Sequence, residues 1–241
     1  MKKYRKEWDE SYNRNENHIL YPHDEVVKFL NRFVRKRLGD NVFSDILTKD
    51  DSARPFIRGL DYGCGIGRMT MLLHEFNIEA YGVDISKKSI QKAKELFPKI
   101  KSNYSVSDGN TIPFENDYFD ITICESVIDS MHFGVAKEVM KELERVTNHY
   151  VYISFISGDN SNNYREYCGE EIINALHEKG TVQSYYNWSK ILELIEPLSF
   201  EIVWARLITE ESLIDQNKDG RYHVVLKKTN IINPKTKIKN R

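Results

Sequence analysis

The feature that most constrains the fold of this chain is a regular alternation of short apolar strands with amphipathic helices between residues 56 and 155. Five strands are predicted there, at residues 56–60, 80–83, 104–106, 119–124 and 150–155. Such an alternation indicates a parallel sheet with helices on both faces, joined by right-handed crossovers. Two later predicted strands, at 200–208 and 222–228, are separated by a short loop, which favours an antiparallel pair.

The alternation divides the 241 residues into five segments. They are an N-terminal helical and cap segment (1–55), a core (56–157), a substrate-cap insertion (158–187), a helix and strand pair that complete the core (188–228) and a flexible basic tail (229–241). Apolar residues at helical spacing predict a helix over 26–38, with Asp24 at its start and Gly39 at its end. Further helices are predicted at 170–179, within the cap, and at 188–195.

Composition narrows the function classes. With 35 basic and 36 acidic residues the net charge is −1, so no global field directs the chain to nucleic acid or to an anionic membrane. No apolar run approaches the ~20 residues of a membrane helix, and the N-terminus lacks the apolar core of a signal peptide. The three cysteines, Cys64, Cys124 and Cys168, show no metal-ligand spacing. We therefore expect a cytoplasmic protein with reduced cysteines, no bound metal and no membrane partner.

The most informative motif is LDYGCGIGR at residues 60–68, which follows the first core strand and opens a helix. Glycines allow a tight turn and let a ligand approach the backbone with no Cβ in the way, and the helix start offers free N–H groups. A dinucleotide-binding turn has the spacing G-x-G-x-x-G, whereas this turn has G-x-G-x-G, and Asp61 precedes the first glycine by two. A carboxylate there suits a ligand with a cationic amino group better than it suits a pyrophosphate.

Three more acidic residues follow later strands. Asp84 ends the second strand and can accept hydrogen bonds from two ribose hydroxyls, Asp108 follows the third strand beside Gly109 and can accept from an adenine amino group, and Glu125 follows the fourth strand. In open α/β sheets, ligands bind outside the carboxyl ends of the strands. The four acidic residues are therefore predicted to share one site for an adenosyl ligand.

In this order the motifs resemble those of the class I S-adenosylmethionine-dependent methyltransferases, over about residues 56–155. The resemblance implies an α/β three-layer sandwich, with a mostly parallel seven-stranded sheet and an antiparallel last strand, and S-adenosylmethionine as cofactor. It implies that Asp61, Gly63 and Gly65 hold the methionine part, Asp84 the ribose and Asp108 the adenine. Three neighbours of these residues are also expected to bind the cofactor, namely Cys64, Ile85 and Gly109. Glu125 or its backbone would lie near the transferred methyl group.

One departure from the family concerns the catalytic base. Many members carry an acidic residue followed directly by His after the fourth strand, but here residues 128–132 are IDSMH, so Ser130 stands at the usual His position. His132 is a candidate base because imidazole titrates near neutral pH, and Asp129 and Glu125 are rivals. A helix-capping or surface role is the competing interpretation of His132.

The predicted acceptor is a small polar metabolite, with oxygen favoured over nitrogen. A sugar, a nucleotide-linked sugar or a phosphate-type oxygen in capsule or surface-glycan biosynthesis would fit. The candidate substrate-binding residues come from the N-terminal segment and the cap, and they are Tyr12, Tyr21, His23, Arg165, Gln183, Tyr185 and Tyr186. Tyrosines give a pocket apolar area plus a hydroxyl, and Arg165 can grip a carboxylate or phosphate. Packing of the cap against the sheet is the competing interpretation of the tyrosines.

Other functions stay open. An RNA or protein methyltransferase would need a basic groove, for which residues 32–37 and 227–241 supply basic clusters, but nucleic acid is disfavoured because such clusters are more often a solvated helix face and a frayed tail. A nicotinamide-dependent oxidoreductase is disfavoured by the glycine spacing, with Arg68 at the third-glycine position. A cofactor-binding scaffold without catalysis is a further alternative. The chain is expected to be a monomer or a homodimer.

Overall fold

The computed structural model describes residues 4–48, 55–158 and 167–229. Its helices are α1 (Arg5–Asn13), α2 (Asp24–Phe29), α3 (Arg68–Glu75), α4 (Lys87–Leu96), α5 (Phe133–Val146) and α6 (Trp188–Ile195). Its strands are β1 (Arg35–Gly39), β2 (Val42–Asp45), β3 (Arg58–Tyr62), β4 (Glu79–Asp84), β5 (Tyr104–Val106), β6 (Phe119–Cys124), β7 (Thr147–Ile156), β8 (Glu170–Ile172), β9 (Val182–Ser184), β10 (Phe200–Glu211) and β11 (Lys218–Lys228). None of the helices in these ranges is long and apolar enough to cross a membrane.

A seven-stranded sheet organises the molecule, in the order β10-β11-β7-β6-β3-β4-β5. Strands β3 to β7 pair in parallel, and β11 runs antiparallel between β7 and β10. The predicted mostly parallel sheet with an antiparallel last strand is confirmed. All five parallel strands end at the same edge, and the start of β11 returns to that edge, where Arg221 pairs with Ile156.

Two apolar layers hold the helices to the sheet. On one face, α2 and α3 pack against Ile121, Ile123 and Tyr152 of β6 and β7. On the other face, α5 and α6 pack against the alternate residues of the same strands, among them Val151 and Ile153. Because successive strand residues point to opposite faces, these fully buried strands supply apolar side chains to both layers.

The helix predicted over 26–38 is wrong in its last third. Helix α2 continues through a π-helical turn, Leu30–Val34, and the chain then becomes β1, which forms a hairpin with β2. Arg35 explains the change, because its buried guanidinium bonds Asp45 of β2 and the carbonyl oxygens of Phe76 and Asn77. Leu38, assigned to the apolar stripe, is 59% exposed.

The expected caps of that helix also differ from the structure. Its N-cap residue is His23, and Asp24 lies in the first turn, where its carboxylate bonds Lys28. Gly39 ends the strand β1 rather than a helix.

The short helix predicted at 170–179 is also wrong. Residues Glu170–Ile172 form β8, which pairs antiparallel with β9. Glu170 bonds the backbone N–H of Phe133 at 2.6 Å, so its carboxylate serves the first turn of α5. Tertiary partners on other elements therefore outweigh the local helical preference of this segment.

Candidate functional site

A cleft over the carboxyl ends of β3, β4 and β6, here called the main cleft, contains most of the predicted site residues. It consists of two cavities that share Trp8, Tyr12, Gly63 and Ser126 in their walls. The first cavity extends to Asp84, Ile85, Ser107 and Gly109. The second extends to Asp61, Cys64, Gly65 and Glu125. The structure thus brings together all the predicted cofactor-binding residues except the Asp108 side chain.

The glycine turn between β3 and α3 shapes the floor of both cavities. Gly63 has φ +73°, and a Cβ there would lie 2.3 Å from the nearest methyl carbon of Val127. Gly65 has φ +54°, and its Cβ would lie 2.5 Å from the Tyr12 hydroxyl oxygen. An L side chain is therefore excluded at both positions by conformation and by space.

Asp84 ties this turn to the end of β4. Its Oδ2 accepts from the N–H of Gly65 at 2.9 Å and its Oδ1 from the N–H of Ser86 at 2.7 Å. Burial raises the pKa of Asp84, while these two bonds oppose the rise. A carboxylate offers about four lone-pair sites, so Asp84 keeps acceptor capacity toward the first cavity.

Asp61 lines the second cavity, as Asp84 lines the first. Both of its hydrogen bonds fall on Oδ2, from the Thr70 N–H at 2.8 Å and the Thr70 hydroxyl at 2.7 Å. Burial raises the pKa of Asp61 to about 7. A cationic ligand at this carboxylate would offset the cost of burying its charge.

Asp108 is held by its own turn. Its Oδ1 accepts from the N–H groups of Asn110 and Thr111, at 2.9 and 2.8 Å. Its neighbours Ser107 and Gly109 line the first cavity instead. Asp108 therefore shapes the loop that borders the cavity.

Glu125 lines the cleft with a buried carboxylate that is only partly hydrogen-bonded. Its side chain is 2% exposed, and its Oε1 lies 3.2 Å from the Ser126 hydroxyl and 3.7 Å from His23 Nε2. Its Oε2 is buried without a hydrogen-bond partner among the described residues. Such a group normally finds a partner.

Helix α1 covers the main cleft; the sequence predicted a cap within residues 1–55 but no helix at these positions. Arg5 donates to the carbonyl oxygens of Ile85 and Ser107, both at 2.9 Å, and Asp9 accepts from the Ser86 hydroxyl at 2.6 Å. Trp8 and Tyr12 face the cavities. Two aromatic residues four apart in a polar segment were the available signal, since that spacing places them on one helix face.

The two other candidate bases lie away from the cleft lining. His132 precedes α5 and is half exposed, and it bonds the Tyr4 hydroxyl at 2.8 Å and Glu170 at 2.6 Å. Asp129 is buried and accepts from Arg221 Nη1 at 2.8 Å and from the Ile156 N–H at 3.0 Å. Burial raises the pKa of Asp129, and the Arg221 charge opposes the rise. In the described part of the chain, His132 links the start of α5 to β8 and to Tyr4, and Asp129 links β7 to β11.

The predicted substrate residues separate into two groups. Tyr12 lines the main cleft, and His23 lies against Glu125. Tyr21 is 86% exposed, and Tyr186 is fully buried against Phe155. The structure thus leaves Tyr186 to the core.

Two further candidates hold the cap together. Gln183 donates to the Asp129 carbonyl oxygen at 3.2 Å, and the Tyr185 hydroxyl donates to Glu171 at 2.6 Å. Arg165 lies outside the described residues, as does the predicted tail from residue 230.

A separate cavity, here called the His23 cavity, opens between α2 and the β10–β11 hairpin. Its walls include His23, Glu25, Arg221 and His223. His223 Nδ1 lies 2.7 Å from the Tyr152 hydroxyl. Burial lowers the pKa of His23 and of His223, although the Glu125 carboxylate opposes both shifts.

Within residues 4–48, 55–158 and 167–229, no three His, Cys, Asp or Glu side chains are placed to hold a metal ion.

Comparison with known proteins gives a family match. Residues 56–211 match the model of a methyltransferase domain. No curated protein matches the sequence.

Solved structures resemble the fold. An S-adenosylmethionine-dependent methyltransferase from Methanosarcina mazei has a TM-score of 0.60 at 18% identity, covering 73% of this chain and 93% of that one. One from Anabaena variabilis has a TM-score of 0.59 at 16% identity, with 93% and 94% covered. The magnesium protoporphyrin IX methyltransferase of Synechocystis, solved with bound S-adenosylmethionine, has a TM-score of 0.52 at 16% identity, with 73% and 71% covered. At these identities the likeness concerns the fold.

Proposed function

This chain belongs to the methyltransferase domain family and is an S-adenosylmethionine-dependent methyltransferase, and from that premise we propose that it methylates a small polar acceptor where the two cavities of the main cleft meet. The observation that carries the proposal is the pair Asp61 and Asp84, which flank a glycine turn at adjacent strand ends. One carboxylate faces each cavity.

The residues of the cleft fit the cofactor. In the second cavity, Asp61 would hold the ammonium group of the methionine part, beside the backbone of Gly63 and Gly65. In the first cavity, Asp84 would accept from the ribose hydroxyls, and the Ser107–Gly109 loop would border the adenine. A Cβ at Gly63 or Gly65 would intrude on this cradle.

The bound cofactor supplies a methyl group on a sulfonium, which departs from a neutral thioether. The task left to the protein is to align the acceptor, and alignment contributes roughly 7–11 kcal/mol in well-oriented reactions. Helix α1 serves this task because Trp8 and Tyr12 lie over the meeting point of the cavities and exclude water from it.

The charges support a small acceptor over nucleic acid. In the basic cluster at residues 32–37, Arg35 is buried against Asp45, and Arg37 pairs with Asp40. The lining of the main cleft includes Asp61, Asp84 and Glu125. These carboxylates would repel a phosphate backbone, whose binding depends on neutralising lysines and arginines.

Calorimetric titration tests the cofactor assignment. We expect S-adenosylmethionine to bind the wild type at micromolar concentration and about ten- to a hundred-fold more weakly to Asp84→Asn, because charge-assisted hydrogen bonds are lost. Asp117→Asn is a matched control, since Asp117 bonds Lys228 at the surface, away from the cleft.

Binding of NADH in place of S-adenosylmethionine, or of neither ligand, would contradict the proposal. Binding without S-adenosylhomocysteine production, across a screen of small acceptors, would favour the non-catalytic scaffold instead.

A further inference from the structure

Negative charge dominates the surroundings of the His23 cavity. Its wall contains the carboxylates of Asp24, Glu25, Glu210 and Asp219. Glu125 lies against His23, and Asp129 lies against Arg221. Six carboxylates thus lie in or against the cavity wall. The cations near them are Arg221, Lys28, which bonds Asp24 and Glu25, and Arg68, whose charge acts on His23.

Two of these carboxylates have a buried oxygen that accepts no hydrogen bond from the described residues. Glu25 Oε1 accepts from Lys28 at 2.6 Å, but Glu25 Oε2 is buried without a partner among the described residues. Glu125 Oε2 is in the same state. Both side chains are at least nine-tenths buried. An unpaired buried carboxylate oxygen is costly, so two near one cavity call for a ligand that donates hydrogen bonds and carries positive charge.

Arg221, the arginine that lines this cavity in the described part of the chain, does not change this balance. Arg221 Nη1 donates to Asp129 at 2.8 Å and to the Ser154 hydroxyl at 3.1 Å. Its charge is thereby committed to a partly buried ion pair with Asp129. A phosphate or carboxylate in the cavity would meet these acidic groups, and among the described residues that line the cavity, Arg221 is already paired with Asp129.

Glu125 connects the His23 cavity to the main cleft. It lines the second cavity of the cleft, and its Oε1 lies 3.7 Å from His23 Nε2. Both Glu125 and Glu25 act electrostatically on His223. A cation held between Glu25 and Glu125 would therefore lie close to Ser126, which lines both cavities of the main cleft. The proposed function places methyl transfer where these two cavities meet.

Resting on that proposed function, we propose that the acceptor is an amine, bound as its cation between Glu25 and Glu125, with His23 accepting its proton. The neutral nitrogen then forms the N–C bond as the methyl–sulfur bond breaks, and sulfur keeps the electron pair as a thioether. The methylated nitrogen carries the positive charge, and the proton on His23 leaves to solvent. This replaces the oxygen acceptor that the sequence favoured.

Matched probes test the charge preference directly. Protein loaded with S-adenosylhomocysteine is titrated at constant ionic strength with benzylamine, benzyl alcohol and benzoate, and with diaminobutane, butanediol and succinate. Carbon NMR of the His23 and His223 rings reports occupancy. We expect saturable shifts with the two amines only, and affinities about ten-fold lower in Glu25→Gln and Glu125→Gln, because each removes a charge-assisted contact. Glu95→Gln, an exposed carboxylate on α4, is the control.

Saturation by benzoate or succinate, or no saturation by either amine in the wild type, would overturn the inference. Amine affinities unchanged in both Gln variants would also overturn it. Calorimetry of S-adenosylhomocysteine on the same samples separates the two proposals. If that ligand fails to bind, the proposed function falls, whereas normal binding without an amine response overturns the acceptor class alone.

Discussion

The main cleft and the His23 cavity are built in opposite ways. The cleft takes Asp61, Gly63 and Asp84 from one strand–helix–strand unit, and backbone N–H groups satisfy much of their hydrogen bonding. The His23 cavity joins His23 to Glu125 and Arg221, which lie far apart in the chain, through side-chain contacts. Local rules therefore determine the main cleft, the proposed cofactor side, whereas tertiary packing determines the His23 cavity, the proposed acceptor side.

The two regions also differ in how completely their acids are paired. The cleft carboxylates Asp61 and Asp84 each accept two hydrogen bonds from the turn or helix beside them. Glu25 and Glu125 each keep a buried oxygen without a partner among the described residues. A family with a shared cofactor and varied acceptors would differ in the second region and keep the first.

The tertiary construction of the His23 cavity is tested by removing the long-range ion pair between Asp129 and Arg221 beside it. In Asp129→Asn we expect the free energy of unfolding to fall by about 3 kcal/mol, because Arg221 loses its buried partner. Urea denaturation measures this. Adding Arg221→Gln to the variant should recover part of the loss, and Asp117→Asn, at a surface pair, should cost less than about 1 kcal/mol. A loss of turnover with unchanged stability would instead assign Asp129 a catalytic role.

The local construction of the main cleft is tested by Gly63→Ala. We expect the free energy of unfolding to fall by roughly 2–4 kcal/mol, because the left-handed backbone and the overlap with Val127 both oppose a methyl group. Gly134→Ala is the matched control, since it lies in the first turn of α5 and a methyl carbon added there would have no neighbour within 4 Å. Equal stabilities for the two variants would mean that the glycine turn can relax.

The smallest of the expected effects concerns Asp61 and is measured as the pH dependence of S-adenosylmethionine affinity. The Asp61 pKa of about 7 means that below neutral pH the folded protein holds a proton there. Binding an ammonium group must then release that proton. We expect the affinity for S-adenosylmethionine to rise about ten-fold per pH unit from about pH 5 and to level off above about pH 7.

Asp61→Asn should flatten this profile. Adenosine, which lacks the ammonium group, should show no such Asp61-dependent slope. A wild-type profile as flat as that of Asp61→Asn would remove Asp61 from the ammonium site.

The sheet was predictable because its signals are local and strong. The observed bounds of β5, β6 and α6 equal the predicted ones, since their apolar runs and periodicities are uninterrupted. The helix predicted over 26–38 failed at Arg35, whose partners Asp45 and Asn77 are not visible in a local pattern.

The residues of the candidate site likewise differ in how far the sequence could predict them. The positions of Asp61 and Asp84 followed from the rule that ligands bind at strand ends. The importance of Glu25 did not, because an acid in the first turn of a helix is ordinarily a favourable partner for the helix dipole. Only the fold shows that its Oε2 is buried without a partner among the described residues and that Glu25 lines the same cavity as His223.

The anchoring of α1 has a consequence for how this enzyme can vary. Arg5 holds the helix closed through the main-chain oxygens of Ile85 and Ser107, which every amino acid possesses. Substitutions at 85 and 107 can therefore retune the cofactor pocket while the closure persists. In this contact the side-chain requirement falls on Arg5, whose planar fork reaches both oxygens at once where a lysine offers a single point charge. We therefore expect the anchoring of α1 to tolerate substitution at residues 85 and 107, which contribute main-chain oxygens, but not at Arg5, which contributes its side chain.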